Sequence, residues 1–98
     1  MVRKLPLPDI SLSPVAHDLQ SLGALIRSQR GRCQLRIDDA ADLLNVSKDL
    51  LSRLENGRSV GLDGLMKVLD GLGLKLLVVP KGDALFLEDR LTESWKEA

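Results

Sequence analysis

Apolar residues recur at helical spacing in four successive stretches of this chain, which predicts four helices. The first begins between positions 14 and 18 and ends at Gly31, and the others cover about 37–44, 48–56 and 62–72. The fourth is expected to carry its apolar residues on one face, namely Leu62, Leu65, Met66, Leu69 and Leu72. The pattern therefore predicts a mainly α-helical small domain over residues 15–73.

The pattern changes to one typical of a strand after the fourth helix. The run Leu74–Val79 is apolar except for Lys75 and stops at Pro80, which predicts a short strand over 74–80. A single strand leaves its backbone groups unpaired, so we expect it to pair with the same strand of a second copy in a two-fold homodimer. The dimer contacts are expected at Leu74, Leu76 and Val78.

Two segments lie outside these elements. Residues 1–14 contain three prolines and no helical period, which indicates a flexible or extended N-terminal arm. Residues 81–98 form an acidic, charged tail that contains Phe86 and Trp95, and the pattern leaves its helical content open.

The second and third predicted helices are joined by a very short turn. Asn45 lies at this turn, and asparagine tolerates a positive φ better than most residues. The small pair Ala40–Ala41 lets the two helices approach closely, and Ser47 is the expected N-cap of the third helix. Two helices joined this tightly, the second with a polar exposed face, are typical of a helix-turn-helix whose second helix enters the major groove.

The charge of the chain weakens the case for DNA binding without removing it. The net charge is zero, with 14 basic and 14 acidic residues, whereas DNA-binding domains are usually basic. Residues 1–60 carry nine Lys or Arg and seven Asp or Glu, and residues 61–98 carry five and seven, so the candidate binding half is mildly basic. A dimer would double the number of phosphate contacts.

Composition also removes several other classes of protein. The single Cys33 excludes an internal disulfide and a cysteine-rich zinc site, and no ligand cluster surrounds His17, so we expect neither metal nor other cofactor. We find no catalytic constellation and expect no enzyme activity. The chain shows no membrane-span or secretory pattern, which predicts a cytoplasmic protein without a membrane partner.

Three stretches of the chain, with the spacing between them, resemble the Cro/repressor-like (XRE-type) helix-turn-helix family. They are Leu22–Arg30, Ala41–Ser47 and Ser52–Arg58. The resemblance implies a small lambda-repressor-like bundle that binds double-stranded operator DNA. The run Leu65–Pro80 is similar to HipB-type antitoxins, which implies a homodimer, an inverted-repeat operator and a HipA-like serine/threonine kinase toxin as partner.

The resemblance also implies roles for individual residues. Base-contacting positions fall on Lys48, Asp49, Ser52 and Arg53, and positions at the DNA backbone fall on Asn56, Gly57 and Arg58, with Ser47 as a further candidate. Arg30, late in the first helix, is expected to pair with Glu55. The chain departs from the family at Arg36–Ile37, where Ser/Thr-Gln is usual, so an N-cap and a phosphate contact are lost and Arg36 is the candidate replacement.

For several of these residues, a purely structural or solvent-exposed role remains an alternative to a binding role. Lys48 and Arg53 have donors for guanine, but exposed helices also carry solvated charges. Asp49 either accepts from cytosine or only stabilises the helix N-terminus. Trp95 either docks on a partner, as aromatic anchors do, or packs within its own dimer.

Three functions remain open from the sequence. The first is a homodimeric, sequence-specific repressor that neutralises a HipA-like kinase toxin as its antitoxin and autoregulates its operon. The second is a plain XRE-type transcriptional regulator without a toxin. The third is a protein-interaction module whose DNA face has degraded, which the zero net charge, Asp49 and the missing glutamine favour.

Overall fold

The computed structural model describes residues 12–97 of the chain, with side chains as far as residue 95, and shows five helices there. They are α1 (Leu19–Arg32), α2 (Ile37–Leu44), α3 (Lys48–Glu55), α4 (Leu62–Gly71) and α5 (Lys81–Glu97). The four predicted helices are confirmed with nearly the expected ends. Most of the predicted N-terminal arm, residues 1–11, lies outside the described residues.

The first four helices enclose one apolar core. Its most deeply buried side chains are Ile26 of α1, Leu51 and Leu54 of α3, and Val68 of α4. Ala40 and Ala41 of α2 are also buried, so the small side chains let α2 lie close against its neighbours. The core therefore fixes α3 from three sides while leaving Lys48, Asp49 and Arg53 exposed.

The predicted apolar face of α4 is partly wrong. Leu62 is 75% exposed and Met66 is 50% exposed, although both were expected to face inward. The buried side instead contains Val68 with Leu69 and with Leu72, the C-cap residue. Val68 shifts the centre of the apolar arc, which turns Leu62 and Met66 toward water.

Local hydrogen bonds fix where α1 begins. The Asp18 carboxylate accepts from the backbone N–H of Ser21 at 2.7 Å, and the Ser21 hydroxyl accepts in return from the backbone N–H of Asp18 at 3.0 Å. This capping box satisfies donors that the first turn leaves without partners. The hydrogen bonds of the Ser21 backbone N–H and side chain to this carboxylate lower the pKa of the Asp18 carboxyl below its ordinary value of 3.8.

The segment after α4 differs from expectation in two ways. Residues 74–80 are extended, but no strand is present among residues 12–97, so the strand prediction is wrong for the described part of a single chain. A strand forms backbone hydrogen bonds with a second strand, and residues 12–97 supply no such partner for residues 74–80. The acidic tail, whose helical content was left open, forms α5, with Ala84, Leu87, Leu91 and Trp95 along one side toward α1.

Candidate nucleic-acid interface

The connection between α2 and α3 has the geometry of a tight helix-turn-helix. Asn45 adopts φ 57° and ψ 46°, the left-handed conformation expected from its position. The backbone N–H of the next residue, Val46, donates to the Ala41 carbonyl at 3.0 Å and so closes α2. The Ser47 hydroxyl then accepts from the backbone N–H of Leu50 at 3.0 Å and caps α3. Each residue of the turn thus ends one helix or begins the next.

Helix α3 is held against α1 at a close backbone contact. A Cβ placed on Gly23 of α1 would lie 2.4 Å from the Leu54 carbonyl oxygen and 2.8 Å from that of Glu55. These atoms are backbone and cannot swing aside. The absence of a side chain at Gly23 is therefore what lets the C-terminal end of α3 pack onto α1.

A buried ion pair joins the same two helices. The Arg30 guanidinium donates from Nε to Glu55 Oε2 at 2.6 Å and from Nη2 to Oε1 at 2.7 Å. A third donor, Nη1, reaches the Leu35 carbonyl at 3.0 Å in the α1–α2 corner. One side chain therefore ties α1, the corner and the end of α3 together, with both charges compensated.

The exposed residues of α3 are Lys48, Asp49 and Arg53, with Ser52 half-buried beside them. Both cations already have partners within the chain. Lys48 Nζ lies 3.0 Å from Asp38 Oδ1, and each side chain of this pair is about half exposed. Arg53 Nη2 donates to the Ser59 carbonyl at 3.0 Å. These contacts are on the surface, where partners exchange readily with water or with a ligand.

The residues just after α3 form a compact corner. The Asn56 amide donates to the Ser52 carbonyl at 2.7 Å and closes the last turn. Gly57 has φ 77°, and a Cβ there would lie 2.9 Å from Cγ of Gln20. The exposed Arg58 follows at once. Glycine at this position therefore lets the chain turn beside the start of α1 and presents Arg58 to solvent.

Two remaining candidates lie away from α3. Arg36 is exposed at the N-terminal end of α2 and makes no side-chain cap there, in keeping with the departure from the family pattern. The Trp95 ring is half-buried and lies 5.2 Å from the Arg32 guanidinium carbon, so it packs against α1 of its own chain. The structure thus groups Ser47, the face of α3 and the corner after α3, and leaves Arg36 and Trp95 outside that group.

Three residues that shape this surface, Asp38, Ser59 and Gly23, were not predicted from the sequence. Asp38 neutralises Lys48 and the carbonyl of Ser59 holds Arg53, and neither contact has a recognisable sequence pattern because each joins separate elements. Gly23 did give a signal, since an isolated glycine inside a helical period often marks a close backbone approach.

The described residues show two further properties that bear on function. None of their His, Cys, Asp and Glu side chains form a group of three that could hold a metal ion. No helix among them is long and apolar enough to cross a membrane.

The fold defines a helix-turn-helix protein, a class that binds DNA, regulates transcription and is typically non-enzymatic. Residues 21–75 match the profile of the helix-turn-helix domain family, and the chain therefore belongs to that family. The match begins in the first turn of α1, covers α2, α3 and α4, and ends within the extended segment. A comparison with curated proteins found no match.

Proposed function

We propose that this protein is a homodimeric, sequence-specific transcriptional repressor that inserts α3 into the major groove of an inverted repeat. The observation that carries the proposal is the orientation of α3. Its apolar side is fixed by the core and by the pair Arg30–Glu55, while Lys48, Asp49 and Arg53 stay exposed. A helix held in this way presents the same side chains to every duplex.

The exposed side chains divide into two roles in this proposal. Lys48 and Arg53 donate to guanine O6 and N7, and Asp49 accepts from cytosine N4, with Ser52 beside them. Ser47, Arg58 and the backbone at Asn56–Gly57 contact phosphates, and Arg36 adds a contact from α2. Binding then exchanges the surface contacts of Lys48 with Asp38 and of Arg53 with Ser59 for contacts with DNA.

The extended segment supports a dimer. Leu76 is 52% exposed, Leu77 is 66% exposed and Val78 is 90% exposed, which is an unusual run of apolar surface for a chain that works alone. Pairing of Leu74–Val79 with the same segment of a second copy would satisfy its backbone groups and cover part of this apolar surface. The two-fold axis of that pair would give two copies of α3 and hence an inverted repeat.

The identity of a protein partner rests on a different observation. The similarity of Leu65–Pro80 to HipB-type antitoxins supports a HipA-like kinase toxin whose operon this protein autoregulates. In this version of the proposal, DNA binding uses α3, whereas toxin binding uses the extended segment and α5, including Trp95. The two activities are then separable by mutation.

The first experiment selects bound sequences from a random duplex library with the full chain, and then measures their affinity over a range of salt concentrations. We expect an inverted repeat. Arg53→Ala should weaken binding by roughly 1–3 kcal/mol and relax the preference at one base pair in each half-site, because it removes a base contact. Arg58→Ala should weaken binding to all sequences alike. It should also reduce by about 1 the slope of the logarithm of the binding constant against the logarithm of the salt concentration.

Lys67→Ala, on the exposed surface of α4, is the matched control and should change neither quantity. If no sequence is selected and the binding to DNA is weak and independent of salt concentration, the proposal is wrong. The protein would then be a protein-interaction module. The kinase is tested by co-purification from the native cell, where Arg53→Ala should retain the toxin. A repressor that captures no kinase would be a plain regulator.

A further inference from the structure

An apolar groove of about 480 Å³ lies between the helix-turn-helix bundle and α5. One wall consists of Leu22, Leu25 and Ile26 of α1, and the other of Leu87, Leu91 and Trp95 of α5. The extended segment Leu74–Val79 runs along it. Its volume lies in the range of roughly 300–1,000 Å³ that is typical of small-molecule sites.

Polar contacts at two points hold α5 across this groove. Near the middle of α5, the Glu88 carboxylate accepts from the Ser13 hydroxyl and lies 3.2 Å from His17 Nε2. Two turns later, Trp95 stacks under the Arg32 guanidinium. Between these points the apolar side of α5 and the facing residues of α1 line the groove. The groove exposes mainly apolar surface to water, so an apolar ligand that fills it removes that surface from water, which favours such an occupant.

The charges along the groove indicate the chemistry of that occupant. Among the described residues that line it, Arg32 and Lys75 are the only charged ones, and both are cations. No Asp or Glu lies among those residues, and Glu88 is directed to Ser13 and His17 instead. The Arg32 guanidinium carbon lies 5.2 Å from the centre of the Trp95 ring. A guanidinium that contacts an aromatic ring through its face keeps its N–H donors available for a carboxylate.

We propose that the groove binds a medium-chain fatty carboxylate, with the alkyl chain between α1 and α5 and the carboxylate on Arg32 and Lys75. The proposal does not depend on DNA binding. It is compatible with a dimer through Leu74–Val79, because strand pairing uses the backbone edges and leaves a side-chain face over the groove. The ligand would join α5 to the bundle where the chain itself leaves space.

The test compares three amphiphiles that share one alkyl chain and differ only in the head group. Decanoate, decanol and decyltrimethylammonium are titrated, each below its micelle concentration, into the full-length protein. Isothermal titration calorimetry gives the affinity, and the fluorescence of Trp95, the single tryptophan, reports occupancy of the groove. We expect one decanoate per chain, bound at least about tenfold more tightly than either of the others.

Two charge-removing variants locate the head group. Arg32→Gln and Lys75→Gln should each weaken decanoate binding at least about fivefold, as loss of a charge-assisted hydrogen bond does. Lys75→Gln should leave the affinity for decanol unchanged, whereas Arg32→Gln, which also removes the contact with Trp95, should weaken decanoate more than decanol. Arg27→Gln is the matched control, because Arg27 is an exposed arginine of α1 outside the groove. Calorimetry is the deciding readout for Arg32→Gln, since that change also alters the surroundings of Trp95.

Three outcomes would overturn the proposal. Equal binding of all three amphiphiles would show that the cations play no part. An equal loss of affinity in Arg27→Gln would place the carboxylate elsewhere on α1. Failure of decanoate to bind, with a Trp95 emission that shifts only as the protein dimerises in analytical ultracentrifugation, would show that a second copy fills the groove.

Discussion

Arg30 and Glu55 form a two-pronged ion pair between α1 and the end of α3, and their side chains are only 7% and 5% exposed. Such a pair is costly to break from one side, because the remaining charge stays buried without compensation. It also fixes one helix against another through two parallel hydrogen bonds rather than one.

Replacement of Glu55 by Ala should therefore lower the free energy of unfolding by about 3–5 kcal/mol, since the Arg30 charge is left without its partner. Urea denaturation followed by circular dichroism measures this change. Lys48→Ala breaks the exposed pair with Asp38 and is the matched control, with an expected loss below about 1 kcal/mol. Equal losses in the two variants would contradict the role of burial.

Gly23→Ala should destabilise the protein and displace α3. The added Cβ meets two backbone carbonyl oxygens, so α1 and α3 must separate, at an expected cost of about 1–3 kcal/mol or more. Gly82→Ala in α5 is the control, and its expected effect on stability has the opposite sign. Nothing lies within 4 Å of its added Cβ, and alanine should stabilise that helix by up to about 1 kcal/mol. Thermal unfolding of both variants checks the pair of signs.

Ser47 permits a prediction that separates stability from DNA contact. Ser47→Ala removes the cap of α3 and should lower the unfolding free energy by about 1 kcal/mol. Ser47→Asp restores a capping oxygen and should retain the stability. On the proposed function, however, its negative charge faces a phosphate and should weaken DNA binding. If Ser47→Asp binds DNA with the wild-type affinity, Ser47 does not contact DNA.

The capping box of α1 should make part of the stability depend on pH. The pKa of Asp18 is lowered from 3.8 in the folded chain, so its contribution is fully present above that value. It is lost as the pH falls below 3.8 toward the folded pKa. The difference in unfolding free energy between wild type and Asp18→Ala should stay constant near neutral pH and shrink in that acidic window. A difference that instead grows on acidification would contradict the assignment.

The parts of the fold that could be predicted are those that local patterns determine. Helices α2 and α3, the left-handed Asn45 and the Ser47 cap follow from helical spacing and from residues whose preferences are local. The burial of α4 was harder to predict from the sequence, because Leu62 and Met66 have the right spacing but too few neighbours to cover them. Sequence spacing places residues on a face, and packing decides which part of that face is covered.

The C-terminal third was hardest to predict for a related reason. Leu85 and Phe86 are apolar residues that lie outside the side of α5 facing α1 and are 62% and 59% exposed, which obscured the helical period of this segment. The run Leu74–Val79 has the composition of a strand, but a strand requires a partner that the described residues of one chain do not supply. At the candidate interface, the contacts of Arg53 and Lys48 with other elements also have no local pattern.

The near contact of backbones at Gly23 has a consequence for how a duplex would adapt. With α1 and α3 in touch there, α3 has no room to roll or slide toward a poorly fitting groove. On the proposed function, the adjustment would therefore fall on the nucleic acid, which would have to change its curvature and groove width. The preference of the protein would then extend to flexible pyrimidine–purine steps that no side chain touches. The energy needed to bend the bound DNA would become part of the selectivity of the protein.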